Sequence, residues 1–219
     1  MQNIKYMIGI DEVGRGPVAG PVAVGAVLIL KENEKEVAKI FSAGGGSAPG
    51  GKGIKDSKKL TSKKRNEWFE KMKEAKQEKL IDYKVIFVDS EKIDKFGIVP
   101  SIQSCINQAL KSLNSQGSGP WEFGEECLVL LDGGLKAPEE FINQETIIKG
   151  DEKEMLISMA SVMAKVTRDS VMCKLAKDYP EYGLEKHKGY GTKFHMDAIK
   201  KKGMCEIHRR SYLKNLAKF

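Results

Sequence analysis

The sequence predicts an α/β fold, and three observations support this prediction. Short apolar runs rich in β-branched residues alternate along the chain with longer segments whose apolar residues recur at helical spacing. Several of these runs end at glycine-containing turns. The length of 219 residues is sufficient for one main domain with a substantial core. Strands that alternate with helices are typical of a sheet covered by helices.

The first part of the chain is expected to form two neighbouring strands and a helix. Residues 5–10 and 21–30 are apolar runs separated by the turn GRGPVAGP. The segment 42–53, SAGGGSAPGGKG, contains too much glycine for a helix or strand, and we expect a flexible surface loop. Residues 57–79 carry apolar side chains at helical spacing, which predicts an amphipathic helix with Thr61 or Ser62 as its N-cap.

The second part of the chain continues this alternation of strands and helices. Strands are predicted over residues 85–88, 127–131 and 146–149, and helices over residues 100–113 and 152–177. After residue 178 the chain becomes basic and aromatic, with short helices predicted over residues 197–202 and 209–217. We therefore expect a main domain over residues 1–178 and a small helical C-terminal segment over residues 179–219.

The composition indicates a globular protein with a polyanionic partner. Hydrophobic residues make up 41% and charged residues 31% of the chain, and the net charge is +7. This charge favours nucleic acid as the partner class, although many mildly basic proteins bind no polyanion. The four cysteines form no CxxC pair, and we expect reduced, packed thiols rather than a zinc ribbon. A signal-like block and an apolar run of about 20 residues are absent, which predicts a cytoplasmic protein without membrane association.

Acidic residues stand at the ends of three predicted elements. Asp11 and Glu12 follow the first strand, Asp132 follows the strand 127–131, and Asp151 begins the long helix. If the strands are neighbours, these acids converge. Clustered carboxylates raise one another's pKa, so such a group is tolerated mainly when divalent cations neutralise it. Oxygen ligands select Mg²⁺ or Mn²⁺, and two such ions support phosphodiester hydrolysis.

Each acid also has a structural interpretation. A strand-ending Asp-Gly is a common turn, and an acid at a helix start is commonly an N-cap. For Asp132 or Asp151 alone, that interpretation prevails. The adjacent Asp11 and Glu12 gain little structural benefit from standing together at a constrained turn, which favours a functional role for them.

The motifs of this sequence resemble those of the ribonuclease HII family over essentially the whole chain. In the family's order they are GIDEVGRGPVAGPV, DSKKLTSKKR, LLDGG, KGDEKEMLISMASVMAKVTRD, HKGYGTK and IHRRSY. The resemblance implies a ribonuclease H-like mixed β-sheet flanked by helices, with a small helical C-terminal segment. The loop 42–53 and the tripeptide MCE at 204–206 depart from the family's pattern, and neither touches the acids.

The resemblance also implies an activity. Such an enzyme degrades the RNA strand of RNA–DNA hybrids and nicks 5′ to ribonucleotides embedded in duplex DNA, as in ribonucleotide excision. It uses two Mn²⁺ or Mg²⁺ ions and leaves 5′-phosphate and 3′-hydroxyl ends. We expect a monomer. The related ribonuclease HIII has an additional N-terminal domain, and with ten residues before Asp11 that subfamily is not expected.

The resemblance assigns roles to individual residues. It makes Asp11, Glu12, Asp132 and Asp151 catalytic metal ligands. The loop residues Gly14, Arg15 and Gly16 would contact the ribose 2′-OH, and Tyr190 would stack near the ribose at the RNA-to-DNA junction. Candidate phosphate contacts are Lys58, Lys59, Lys165, Arg168 and Arg209.

Several polar residues of these motifs are left outside the predicted catalytic set. Ser161 has the size of a packing residue, and Asp169 is placed to pair with Arg168 or Lys165. The histidines at 187, 195 and 208 are expected to have structural or phosphate-binding roles, because nothing in the sequence places them beside the acids.

Two other functions remain as alternatives at this point. One is a nucleic-acid-binding protein on the same fold that has lost catalysis, which the intact set of four acids disfavours. The other is a nucleotide-binding enzyme that uses the glycines of GRGPVAG. That spacing is not GxGxxG, and Pro17 and Pro21 would interrupt a helix start.

Overall fold

The computed structural model describes residues 4–42, 60–114 and 125–214, and its centre is a five-stranded mixed sheet. The strands are β1 (Tyr6–Val13), β2 (Val22–Leu30), β3 (Ile81–Val88), β4 (Cys127–Asp132) and β5 (Gln144–Ile147). Their order in the sheet is β3-β2-β1-β4-β5. The first three strands are antiparallel, whereas β4 pairs in parallel with both β1 and β5. The predicted mixed sheet is confirmed.

Helices cover both faces of this sheet. They are α1 (Glu34–Ser42), α2 (Ser62–Gln77), α3 (Ser90–Phe96), α4 (Ile98–Asn114), α5 (Gly150–Lys153), α6 (Met155–Asp178), α7 (Leu184–His187) and α8 (Lys193–Lys202). The predicted N-cap of α2 is confirmed, because the Thr61 hydroxyl accepts a hydrogen bond of 3.2 Å from the Lys64 backbone. Helices α1, α3 and α7 were not predicted.

Some predicted boundaries are wrong. Strand β1 continues to Val13, so Asp11 and Glu12 lie within the strand rather than after it. The predicted helix over residues 209–217 is replaced, within the described residues, by one 3-10 turn at Arg210–Tyr212. The Arg209 backbone N–H donates to the Val18 carbonyl, and Arg209 itself has an extended conformation. The loop residues 43–53 lie outside the described part of the chain.

Helix α6 packs directly on the sheet because two glycines face it. A Cβ atom at Gly9 in β1 would lie 2.2 Å from the Leu156 backbone, and one at Gly25 in β2 would lie 2.3 Å from the Ala160 carbonyl oxygen. Both distances are too short for any side chain to be tolerated. This close approach brings the middle of α6 beside the end of β1.

The C-terminal segment has an apolar cluster of its own. Its buried members are Ala19, Met172, Tyr182, Leu184, Ile199, Ile207 and Leu213. The segment therefore packs on the end of α6 and on the loop between β1 and β2. The domain boundary at residue 178 stays a prediction. Among the described residues, none of the helices has the length and apolar character needed to cross a bilayer.

Candidate active site

Three acidic side chains meet where β1 and β4 separate. The parallel ladder between these strands ends at the pair Ile10 and Leu131, one residue before Asp11 and Asp132. The carboxyl ends of the two parallel strands therefore lie side by side at this edge of the sheet. Asp11, Glu12 and Asp132 each offer a carboxylate oxygen, and these oxygens lie within 4.8 Å of one another.

The fourth predicted acid, Asp151, lies close to this group but outside it. Strand β4 and the short helix α5 are joined by a hydrogen bond of 2.6 Å from the Gly150 backbone N–H to the Asp132 carboxylate. Asp151 follows Gly150 directly and is fully buried. Its charge acts on Asp11, where it contributes to a raised pKa. All four predicted acids are thus brought into one electrostatic cluster.

Burial disfavours the charged form of two acids in this cluster. Burial raises the pKa of Asp11 well above the usual carboxyl range. A hydrogen bond from the Ser161 hydroxyl opposes this rise, and repulsion from Glu12, Asp132 and Asp151 adds to it. Burial likewise raises the pKa of Glu12, against the opposing effect of Arg15. A hard divalent cation would relieve both the repulsion and the burial cost, so the donor set fits Mg²⁺ or Mn²⁺.

A cavity of about 460 Å³ adjoins two of these acids. Its walls come from β1, the following loop, α2, α6 and the C-terminal segment, so residues from distant parts of the sequence share it. The lining residues are Asp11, Glu12, Val13, Gly14, Arg15, Gly16, Arg65, Ser161, Lys165 and Tyr190. The predicted ribose-contacting residues therefore lie in the same cavity as Asp11 and Glu12.

Tyr190 lies beside the Gly14–Gly16 loop in the wall of this cavity. The ring carbon Cε1 of Tyr190 lies 3.8 Å from the position of a Cβ atom at Gly16. Tyr190 is 45% exposed, so its ring is open to a ligand. Arg15 points away from the core and forms an ion pair of 3.3 Å with Glu12. The loop thereby connects the acidic cluster to the aromatic side of the cavity.

Two buried arginines hold the loop in this shape. The Arg209 guanidinium donates to the carbonyls of Gly14, Arg15 and Gly20 at 2.7, 3.1 and 3.0 Å. Arg168 donates to the carbonyls of Pro21, Lys188 and Ala19 at 2.8, 3.0 and 3.4 Å. Both arginine side chains are fully buried.

This burial corrects the prediction that Arg168 and Arg209 contact substrate phosphates. Each guanidinium is enclosed by protein, and its donors are directed at backbone carbonyls, so a phosphate in the cavity cannot reach it. Of the other predicted phosphate contacts, Lys165 lines the cavity and pairs with Asp169 at 2.8 Å. Lys58 and Lys59 lie outside the described residues.

The structure adds two residues that the sequence reasoning missed. Arg65 of α2 lines the cavity and donates to the Ser62 hydroxyl at 3.2 Å. It is the last residue of the basic motif DSKKLTSKKR, which could have indicated it. Ser161 of α6 forms a hydrogen bond with Asp11, and its signal in the sequence was a hydroxyl among the mostly apolar buried residues of this helix. None of the three histidines lines the cavity.

Comparisons with known proteins identify a family for this chain. The family described as Ribonuclease HII matches residues 8–215. A ribonuclease HII from Clostridioides difficile is 40% identical over 211 residues, which cover 96% of this chain and 71% of the relative. The ribonuclease H2 structure from Pyrococcus horikoshii is 26% identical and covers 97% of each chain, with a TM-score of 0.68. The structure of Bst-RNase HIII in complex with Mn²⁺ is 17% identical and shares the fold, with a TM-score of 0.67 over 100% of this chain and 72% of that one.

Proposed function

The chain belongs to the ribonuclease HII family and is a ribonuclease H endonuclease that acts on RNA–DNA duplexes, and from this premise we propose its finer specificity. It nicks duplex DNA on the 5′ side of a single embedded ribonucleotide and also degrades longer hybrids. The products carry 5′-phosphate and 3′-hydroxyl ends. The reaction depends on two divalent cations, Mn²⁺ or Mg²⁺.

The observation that carries this proposal is the shared cavity. It has carboxylates at one side and the Gly14–Gly16 loop with Tyr190 at the other. A ribose placed against the loop and the exposed side of the tyrosine ring would have its neighbouring phosphate next to Asp11 and Glu12. The loop backbone can approach the 2′-OH closely because glycine has no side chain. Phosphodiester chemistry and ribose recognition are therefore supported by one site.

The acids of the cluster are the proposed ligands of the two cations. Asp11, Glu12 and Asp132 supply the neighbouring oxygens, and Asp151 completes the set from α5. When bound, such ions activate a water and stabilise the leaving 3′ oxygen. Ser161 holds the Asp11 carboxylate through its hydrogen bond. Arg65 and Lys165 are positioned at the cavity wall to attract the phosphate backbone.

The test is cleavage of a duplex that contains one ribonucleotide, in Mn²⁺ and separately in Mg²⁺. We expect a single nick 5′ to the ribonucleotide, with ligatable 3′-hydroxyl and 5′-phosphate ends identified by gel mobility and phosphatase treatment. An all-DNA duplex should remain intact. Asp11→Asn should lose most turnover while binding the duplex as tightly as the wild type. Absence of the nick with both ions would falsify the proposal.

A further inference from the structure

Two buried histidines connect the backbone of Tyr190 to the backbone of Cys205, in the loop that follows α8. His195 and His208 are 0% and 1% exposed. The His195 Nδ1 atom lies 2.9 Å from the Tyr190 carbonyl oxygen, and its Nε2 atom lies 3.2 Å from the Nε2 atom of His208. At the far end, the Cys205 backbone N–H donates to the His208 Nδ1 atom at 3.0 Å. These contacts form one continuous chain of hydrogen bonds.

The end groups of the chain determine its protonation. A carbonyl oxygen only accepts, so the His195 Nδ1 atom must carry a hydrogen and donate it to Tyr190. A backbone N–H only donates, so the His208 Nδ1 atom must accept from Cys205. The central contact is then satisfied when His208 donates through Nε2 to the unprotonated Nε2 atom of His195. Both rings are neutral in this arrangement, each in one defined tautomer.

The surroundings support the neutral state. Burial lowers the pKa of His195, and burial together with His195 lowers the pKa of His208 to about 4. Within the described part of the chain, the other titratable or charged groups that face the pair are His187, Tyr182, Cys205 and Arg210. His187 and Arg210 disfavour a further positive charge on the pair.

The same chain reaches the glycine loop. The backbone of His208 forms an antiparallel bridge with Ala19, in the segment that follows the loop. The backbone N–H of Val18 donates to the Gly189 carbonyl at 2.9 Å, next to Tyr190. The His195–His208 pair therefore links the two walls of the cavity that are proposed to hold the ribose.

We propose that His195 and His208 are positioning residues, which as a neutral hydrogen-bonded pair hold Tyr190 in register with the Gly14–Gly16 loop. This inference rests on the proposed role of Tyr190 at the ribose. The pair does not touch the cavity itself. It acts through the Tyr190 backbone, and its loss displaces the ring while the acidic cluster stays intact.

The test is a double-mutant cycle on the duplex with one ribonucleotide. His195→Leu removes both ring nitrogens, and we expect kcat/KM to fall about tenfold. In a Tyr190→Ala background the same change should have less than about a twofold effect, because the residue it positions is gone. His195→Asn retains a donor near the Nδ1 position and should restore most of the activity. Equal losses in both backgrounds would overturn the proposal.

Two controls separate positioning from folding. Asp197→Asn alters an exposed residue of the same helix α8 and should leave kcat/KM unchanged. Thermal unfolding identifies any variant that is unfolded at the assay temperature. If His195→Leu is unfolded, the cycle is carried out with His208→Asn, which keeps an acceptor for the Cys205 N–H but cannot reach His195.

A readout independent of cleavage tests the chain itself. Imidazole ¹⁵N spectra at pH 7 should show His195 protonated at Nδ1 and His208 protonated at Nε2. A cationic ring or the opposite tautomer at either residue would refute the pair. A wild-type protein that fails to nick the substrate but shows these tautomers would contradict the proposed function and not the hydrogen-bonded chain.

Discussion

Substitution of Gly14 by alanine tests how the loop beside the acids is held. Gly14 has a φ of +91°, in a region that residues with a Cβ atom rarely adopt. A Cβ atom there would lie 2.2 Å from the Arg168 Nε atom and 2.8 Å from its Cδ atom. Arg168 cannot easily move away, because it is fully buried and donates to three carbonyls.

Both effects destabilise the folded state of Gly14→Ala. The backbone strain costs about 1–2 kcal/mol, and the steric overlap costs about 1–3 kcal/mol. We therefore expect the free energy of unfolding to fall by about 2–5 kcal/mol, a large part of the about 5–15 kcal/mol typical of a domain. Activity should fall about a hundredfold, because a displaced loop no longer aligns the ribose with the acids.

Gly16→Ala is the matched control from the same loop. Gly16 has no positive φ, and its Cβ atom would meet only the Tyr190 ring, at the ordinary contact distance of 3.8 Å. Its free energy of unfolding should change by less than about 0.5 kcal/mol. The added methyl group faces the cavity, so kcat/KM should still fall on the substrate with one ribonucleotide.

Urea denaturation of both variants, together with steady-state cleavage kinetics, measures these effects. The expected pattern is a large loss of stability for Gly14→Ala and a loss of activity without a loss of stability for Gly16→Ala. If Gly14→Ala is as stable as the wild type, the account of the loop held by Arg168 is wrong. Equal destabilisation by both substitutions would also refute it, since only Gly14 combines strain with overlap.

Three further predictions concern the charged residues. Without cations, the wild type should lose thermal stability as the pH rises above the usual carboxyl pKa, because the raised pKa of Asp11 makes the folded state bind more protons than the unfolded state. Asp11→Asn should show a shallower pH slope and a higher Tm at pH 7 in chelator. Arg65→Gln should raise KM and lower the slope of log Kd against log salt concentration by about 1. Arg209→Met should destabilise the fold by roughly 1–3 kcal/mol for each carbonyl left without a donor, and should leave that salt slope unchanged.

Each of these has an outcome that would contradict it. If the thermal stability of Asp11→Asn depends on pH as that of the wild type does, burial does not raise the pKa of Asp11. An Arg65→Gln salt slope equal to that of the wild type would exclude a phosphate contact. A reduced salt slope in Arg209→Met, without a loss of stability, would restore the phosphate role that burial argues against.

The sequence by itself determined the kind of protein and most of its regular elements. Strands and helices can be predicted because the periodicity of their apolar residues lies within one short segment of the chain. The N-cap at Thr61 is likewise a signal from neighbouring residues. The acids at Asp11, Glu12, Asp132 and Asp151 stood out because each follows an apolar run or a glycine. The resemblance to ribonuclease HII then connected these segments to one activity.

The tertiary structure alone decided which polar residues face the cavity. Arg65 and Arg209 are both arginines of basic motifs, yet one lines the cavity and the other binds the carbonyl of Gly14, 195 residues away in the chain. Burial and hydrogen-bond partners depend on long-range packing, which local patterns do not encode. For the same reason the sequence left structural and phosphate-binding roles open for the three histidines, whereas the fold joins His195 and His208 into a hydrogen-bonded pair behind Tyr190.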